Sequence, residues 1–324
     1  MPRGFPLKPF GRCYRKYLTW LHDYMDAKTA FISMRPWSFT MTFSSVTMGT
    51  LVAALSGRFN LPYYLVALGG MVAFHGATNV LNDFFDVKHG VDREGAPTTR
   101  YRPHPAAFGQ APLSSVLTLS LALYLVTLAA ASYLALATNL WVLVVVGVGL
   151  AGSVLYTADP VVLKARALGE ATVFVMWGVL IPLGSYVVQT GTVSLAPAVA
   201  SVPIGIFVAL VLLANNIRDI GYDGSVKTRT LAVVLGAKRA ERLYAFLLGL
   251  AYVVVAAGVA VQLLPVWSVL VFLTVPGARG LIAMLKGDVP DNADPRTAAL
   301  ALQFSLIYMV SLALAIFFPL VLPA

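Results

Sequence analysis

Long apolar runs separated by short polar segments dominate this chain. Runs of about 20 residues, the length a helix needs to cross a hydrocarbon core, lie near 37–56, 61–86, 113–136, 139–157, 170–189, 198–217, 240–263, 266–285 and 298–321. They predict nine membrane-spanning helices. Two of the runs end in residues that a spanning helix normally excludes. The first closes on Asn79, Asn82, Asp83 and Asp86, which at 100° per residue fall within about 100° of one helix face, and Asp92 follows shortly after. The second closes on Asn215, Asn216, Asp219 and Asp223, which share an arc of about the same width. Intramembrane acids are costly and usually functional, so two such faces suggest one shared cation site.

Composition agrees with a membrane protein. Of 324 residues, 59% are hydrophobic and only 11% charged, and the mean hydropathy is +0.80. A soluble domain of this size needs a charged surface that these residues cannot supply, whereas lipid can cover an apolar exterior directly. The net charge of +9 follows the spans instead of forming a basic domain, so nucleic acid is not expected as a partner. With nine spans, all but Arg58 of the 23 Lys and Arg residues fall on one side, together with all 14 Asp and Glu residues. The positive-inside rule assigns that side, with the N-terminus, to the cytoplasm.

The expected organisation is a single polytopic domain over 1–324. Residues 1–35 form a basic cytoplasmic segment, and its 14–31 stretch has the mix of aromatic and basic residues of an interfacial helix, or of a solvated lead-in to the first span. Cys13 is the sole cysteine, which excludes an intramolecular disulfide and a cysteine-based metal cluster. The two Asn/Asp stretches end the second and sixth spans on the same side, which suggests a duplicated four-helix unit plus one helix. Gly69, Gly70, Gly76, Gly147, Gly149 and Gly152 are read as marks of close helix packing.

Carboxylate and amide oxygens without His or Cys partners suit a hard cation, and Mg²⁺ favours few protein ligands while keeping places for phosphate oxygens. Two such faces could hold a diphosphate through bridging Mg²⁺, with the apolar surroundings holding a lipid tail. Asn82, Asp86 and Asp92 then grip from one side and Asn215, Asp219 and Asp223 from the other. The alternative is that these groups bond to one another between helices or are solvated at the interface.

The sequence resembles the UbiA superfamily of intramembrane prenyltransferases. Asn82-Asp83-Phe84-Phe85-Asp86 with Asp92 is similar to the first motif of that superfamily, and Asp219-Ile220-Gly221-Tyr222-Asp223 to the second. Within it the chain looks most like the branch that makes menaquinone and related naphthoquinones, through Arg35-Pro36-Trp37-Ser38-Phe39, Gly90-Val91-Asp92, Tyr156 to Pro160, Leu168-Gly169-Glu170, Asn215 to Ile220 and Arg229-Thr230-Leu231-Ala232. It departs from that branch at Ala158 and Asp159, where glycines are frequent. The resemblance implies an all-α fold of nine helices around a central cavity. It also implies transfer of a polyprenyl group from an allylic diphosphate to an aromatic acceptor, foremost 1,4-dihydroxy-2-naphthoate with loss of its carboxylate.

From these patterns Asp86, Asp219, Tyr156 and Lys164 are the candidate catalytic residues. Asn82, Asp83, Asp86, Asp92, Asp219 and Asp223 are the candidate Mg²⁺ ligands, with two ions bridging the diphosphate. Asn82, Asn215, Asn216, Arg100, Arg166, Arg218 and Arg229 are the candidate substrate contacts. Other acceptors of the same chemistry (4-hydroxybenzoate, a tetrapyrrole, glycerol phosphate) and terpene cyclisation stay open, as does a cation transporter using the acidic faces as an ion site.

Overall fold

The computed structural model describes residues 25–320, so most of the basic segment 1–35, including Cys13 and residues 14–24, lies outside the described residues. Among the described residues the chain is helical throughout, with no strand beyond an isolated bridge between Arg166 and Arg229. Helix α1 (Ala27–Ser33) leads through Arg35 and a 3₁₀ turn into α2 (Phe39–Leu55). Then come α3 (Leu61–Lys88), the short α4 (Thr98–Tyr101), α5 (Leu113–Ala137) and α6 (Trp141–Thr157). Helices α7 (Gly169–Val175) and α8 (Ile181–Thr190) join through a π turn at Met176–Leu180 into one span. The remainder is α9 (Ala196–Arg218), α10 (Ile220–Ser225), α11 (Leu231–Leu235), α12 (Ala237–Ala260), α13 (Val275–Met284), preceded by a 3₁₀ stretch, and α14 (Ala293–Phe317).

Eight of these segments are long and apolar enough to cross a membrane, and α6, with 17 residues and about 25 Å of rise, supplies a ninth apolar helix. Local sequence starts and stops them. Asn60 caps α3 by accepting the Tyr63 N–H at 3.0 Å, and the Asn139 side chain accepts the Trp141 N–H at 2.9 Å to open α6. Gly191, with φ of 71°, ends α8 in the left-handed conformation that glycine adopts without strain.

Sidedness is inverted relative to a soluble protein. Helix α5 turns Leu121, Leu125 and Leu136 outward and buries Ser120, Thr127 and Ala131. The Ser120 hydroxyl donates to the Ala77 carbonyl at 2.9 Å and Thr127 to the Gly70 carbonyl at 3.3 Å, stitching α5 to α3. Small residues set the closest approaches: Gly178 and Gly205 meet backbone to backbone where the π turn crosses α9, and Gly49 lies against the Pro182 backbone. Gly70, Gly76 and Gly152 are close packing points, whereas a Cβ added at Gly149 would make only ordinary contact with the Phe74 ring at 3.5 Å and one at Gly69 or Gly147 would meet nothing within 4 Å. Successive spans pack on their neighbours and α14 returns to α2, closing the circuit around a cavity.

Candidate active site

The cavity has a volume of about 900 Å³. Its depth is lined by apolar residues such as Val66, Met71, Val146, Leu180 and Val188, and its other end by Asn82, Asp86, Asp92, Asn215, Asn216, Asp219 and Asp223. Both polar clusters named from the sequence therefore meet at one end of one cavity.

The first cluster is built by the end of α3 and the loop after it. Gly90, with φ of 70°, turns the chain back so that the Val91 and Asp92 amides both donate to the Asp86 carbonyl, at 2.9 and 3.1 Å. This fold-back brings Asp92 beside Asp86. The Asn82 amide donates to Asp86 Oδ2 at 2.7 Å. Lys164, from the loop between α6 and α7, donates to Asn82 Oδ1 at 2.6 Å and to Asp86 Oδ1 at 2.5 Å, so it spans the same two oxygen donors that a cation would use. Burial opposes the charge on Asp92, but the hydrogen bond from His104, the neighbouring Arg102 and the Thr98 hydroxyl together hold its carboxyl well below the usual carboxylate range.

The second cluster is not one continuous helical face. Helix α9 stops at Arg218, Asp219 caps it, and Asp223 sits on the separate α10. Arg218 forks onto Asp219 at 2.8 and 2.7 Å, reaches Asn215 Oδ1 at 2.8 Å and pairs with Asp294 at the start of α14. Asn216 donates to the buried Glu170 at 2.9 Å. Asp223 accepts from Thr230 at 3.3 Å, and burial, reinforced by the charge of Asp219, pushes its carboxyl up to about 7. The Tyr222 hydroxyl donates to the Val91 carbonyl at 2.6 Å, tying the second cluster directly to the loop of the first.

Several site residues named from the sequence fall elsewhere. Asp83 does not line the cavity: Asn82 and Asp83 mark opposite edges of the 100° arc, and Asp83 turns away to meet Arg35 and Arg102. Arg100 is exposed on α4, Arg166 is exposed and donates to the Pro160 carbonyl at 2.8 Å, and Arg229 is exposed; none of the three lines the cavity. Arg218 braces Asp219 and Asp294 from behind the cavity wall. Tyr156 and Lys164 do line the cavity, at its polar end.

Sequence reasoning passed over Arg35, His104, Thr98, Glu170 and Asp294 as site groups, and reached Arg102 only as one of several basic loop residues that could contact phosphate. Arg35 carries a left-handed φ of 57° at the entrance to α2, and it and Arg102 reach the cavity. Among the described residues, five carboxylates (Asp86, Asp92, Asp219, Asp223, Asp294) and three cationic side chains (Arg35, Arg102, Lys164) line the cavity. His89 lies at the rim, 2.9 Å from Asp159, and His75 is buried against Thr42 at 2.8 Å.

Residues 42–307 match the UbiA prenyltransferase family as a whole. The chain belongs to that family. Its curated relatives include the 1,4-dihydroxy-2-naphthoate octaprenyltransferase of Bacillus subtilis (strain 168), 29% identical over 264 residues that cover 80% of this chain and 82% of the relative. The apo structure of a UbiA homologue from Aeropyrum pernix K1 superposes with a TM-score of 0.67 at 21% identity, covering 84% of this chain and 97% of that one. A UbiA homologue from Archaeoglobus fulgidus bound to GPP and Mg²⁺ superposes with a TM-score of 0.61 at 13% identity, covering 88% and 99%. This UbiA-family chain is thus an integral membrane protein and a prenyltransferase, which sets aside the transporter alternative.

Proposed function

We propose that the protein transfers a polyprenyl group from an allylic polyprenyl diphosphate to 1,4-dihydroxy-2-naphthoate, with loss of the ring carboxylate as CO₂ and release of diphosphate, to give a demethylmenaquinol, the reduced form of demethylmenaquinone. The observation that carries this is a single cavity with paired Asn/Asp clusters and Lys164 at one end and an apolar lining over its remaining depth. The naphthoate acceptor is supported by the named activity of the Bacillus subtilis relative. The segregation of basic residues supports a polar end that faces the cytoplasm, and the same domain is taken to extend over 1–324.

Asn82, Asp86, Asp92, Asp219 and Asp223 offer hard oxygen donors without a thiolate, a set that fits Mg²⁺. The raised Asp223 carboxyl supports the fit, since buried carboxylates beside one another are relieved by a cation. These residues of the two clusters would hold two ions, and the bound metal would supply positive charge to offset that developing on the departing diphosphate. Lys164 then donates to the diphosphate oxygens from the position in which it holds Asn82 and Asp86, with Arg35 and Arg102 on the same cavity wall. Tyr156 turns an aromatic ring toward the cationic allylic carbon, whose bond to oxygen breaks as the acceptor ring forms the new carbon–carbon bond. The apolar walls hold the polyprenyl tail and keep water from capturing the cation.

The test is incubation of the purified protein with an allylic polyprenyl diphosphate, dihydroxynaphthoate and Mg²⁺, followed by mass spectrometry of the lipid extract. A prenylated, decarboxylated naphthohydroquinone, recovered as the quinone after oxidation by air, is expected. Product formed only from another phenolic acceptor overturns the naphthoate assignment.

A further inference from the structure

Behind the first acidic cluster, five charged or titratable side chains join segments far apart in sequence: Arg35 ahead of α2, Asp83 on α3, and Asp92, Arg102 and His104 in the loop 89–112. His104 is completely buried and does not reach the cavity. Its Nδ1 accepts the Ala107 amide hydrogen at 3.2 Å, so in the neutral ring the hydrogen sits on Nε2. That Nε2–H donates to Asp92 Oδ2 at 2.8 Å, and the Thr98 hydroxyl donates to Asp92 Oδ1 at 2.7 Å. Both oxygens of Asp92 are therefore pinned from the protein side, while each keeps a lone pair for the cavity that Asp92 lines.

The donor atoms of Asp83, Asp92 and His104 lie within 4.8 Å of one another, close enough to suggest a second metal centre. The guanidinium groups of Arg35 and Arg102 already contact Asp83, so the positive charge there is supplied by the chain itself. Asp83 thus anchors the loop to α3, and the loop brings His104 and Thr98 to Asp92.

We propose that His104 is a positioning residue: the Ala107 amide fixes its tautomer, and its Nε2–H fixes the rotation of the Asp92 carboxylate that faces the metal and diphosphate. The proposal rests on Asp92 serving that site. Partners that orient a ligand in this way typically govern affinity by about 10- to 100-fold without touching the metal. The loop's contribution to the reaction then lies in preorganisation, and Asp83 belongs to the same support and not to the ligand set.

The test compares His104→Phe, His104→Gln and Thr98→Val in purified full-length protein. Mn²⁺ binding in the presence of inorganic pyrophosphate is read by electron paramagnetic resonance, and prenyl transfer is followed as Mg²⁺ is titrated. His104→Phe and Thr98→Val are expected to weaken Mn²⁺ binding about tenfold and to raise the half-saturating Mg²⁺ by a similar factor, with kcat at saturating Mg²⁺ changed by less than about threefold. His104→Gln, whose amide nitrogen can stand near the Nε2 position, is expected to recover most of the affinity. Unchanged Mn²⁺ affinity in the folded variants overturns the proposal, as does an equal loss in His104→Gln and His104→Phe. If His104→Phe does not fold, Thr98→Val and His104→Gln still decide. If the wild type binds Mn²⁺ but prenylates no acceptor, the proposed function fails while the Mn²⁺ titrations continue to test His104.

Discussion

Lys164 offers the sharpest test of how the cavity works. Its ammonium group bridges Asn82 and Asp86 and is only 18% exposed, so it is held where a diphosphate oxygen would arrive. A unit charge about 3 Å from a phosphate oxygen, at an effective dielectric constant near 20, gains roughly 5 to 6 kcal/mol in gross Coulomb energy. Part of that is offset because the ammonium must loosen its hold on Asp86, leaving a net of about 3 kcal/mol. This is close to the roughly 3 to 4 kcal/mol lost when a single donor is removed from an oxyanion site, and it corresponds to about 100-fold in rate. Lys164→Met is therefore expected to lower kcat about 100-fold. The same substitution removes a positive competitor from Asp86, so the Mg²⁺ needed for half-maximal rate should fall or stay level. Single-turnover prenyl transfer with Mg²⁺ titrated separates the two effects, and Lys164→Arg should restore at least a tenth of the wild-type rate. A Lys164→Met enzyme with kcat within threefold of wild type, or one whose only defect is a raised Mg²⁺ requirement, would refute the reasoning.

Three further outcomes follow from the site. Because burial and the Asp219 charge raise the Asp223 carboxyl from its ordinary value to about 7, Asp223 holds a proton below that pH which a bound cation displaces. Mg²⁺ titration calorimetry in two buffers of different ionisation enthalpy should show nearly one proton released at pH 6 and almost none at pH 8, with the release lost in Asp223→Asn. The same sign means that the metal-free fold loses stability as pH rises through 7, since the folded state holds this proton more tightly than the unfolded chain; a flat dependence of Tm over pH 6–8 in the wild type would contradict it. Gly184 lines the deep end of the cavity, where an added Cβ would lie 3.2 Å from Val145 Cγ1, so Gly184→Leu should shift competition between donors toward shorter allylic diphosphates, and an unchanged preference would argue that the tail does not reach it. Tyr156→Phe should keep the rate within about threefold and Tyr156→Leu lower it about tenfold, the size of a cation–π contribution, with equal losses in both pointing to the hydroxyl instead.

The span ends, the two motif clusters and their convergence on one cavity were legible because each depends on local sequence: about 20 apolar residues make a crossing helix, and a carboxylate within one stands out on energetic grounds. Helical angles were less informative at the margins. They grouped Asn82 with Asp83, although a 100° arc is wide enough for its two edges to face the cavity and the loop respectively. They also treated Asn215 to Asp223 as one helix, while the chain breaks after Arg218. Choosing among basic loop residues was beyond composition, since topology alone collects arginines on that side. Arg102 is drawn inward by Asp83 and Asp92, whereas Arg100, two residues earlier, stays exposed. His104 left no periodic signal, because its place is set by the fold-back of the loop and by the Ala107 amide.

The charge inventory of the cavity bears on the order in which ligands arrive. With five carboxylates facing three cationic side chains among the described residues, and Lys164 already engaged by Asp86, a metal-free diphosphate approaches a wall of like sign, whereas Mg²⁺ bound to its oxygens reduces the negative charge it brings. The charges that line the cavity therefore favour the metal-bound form of the donor, and pyrophosphate added in excess of Mg²⁺ is expected to slow transfer chiefly by removing the cation.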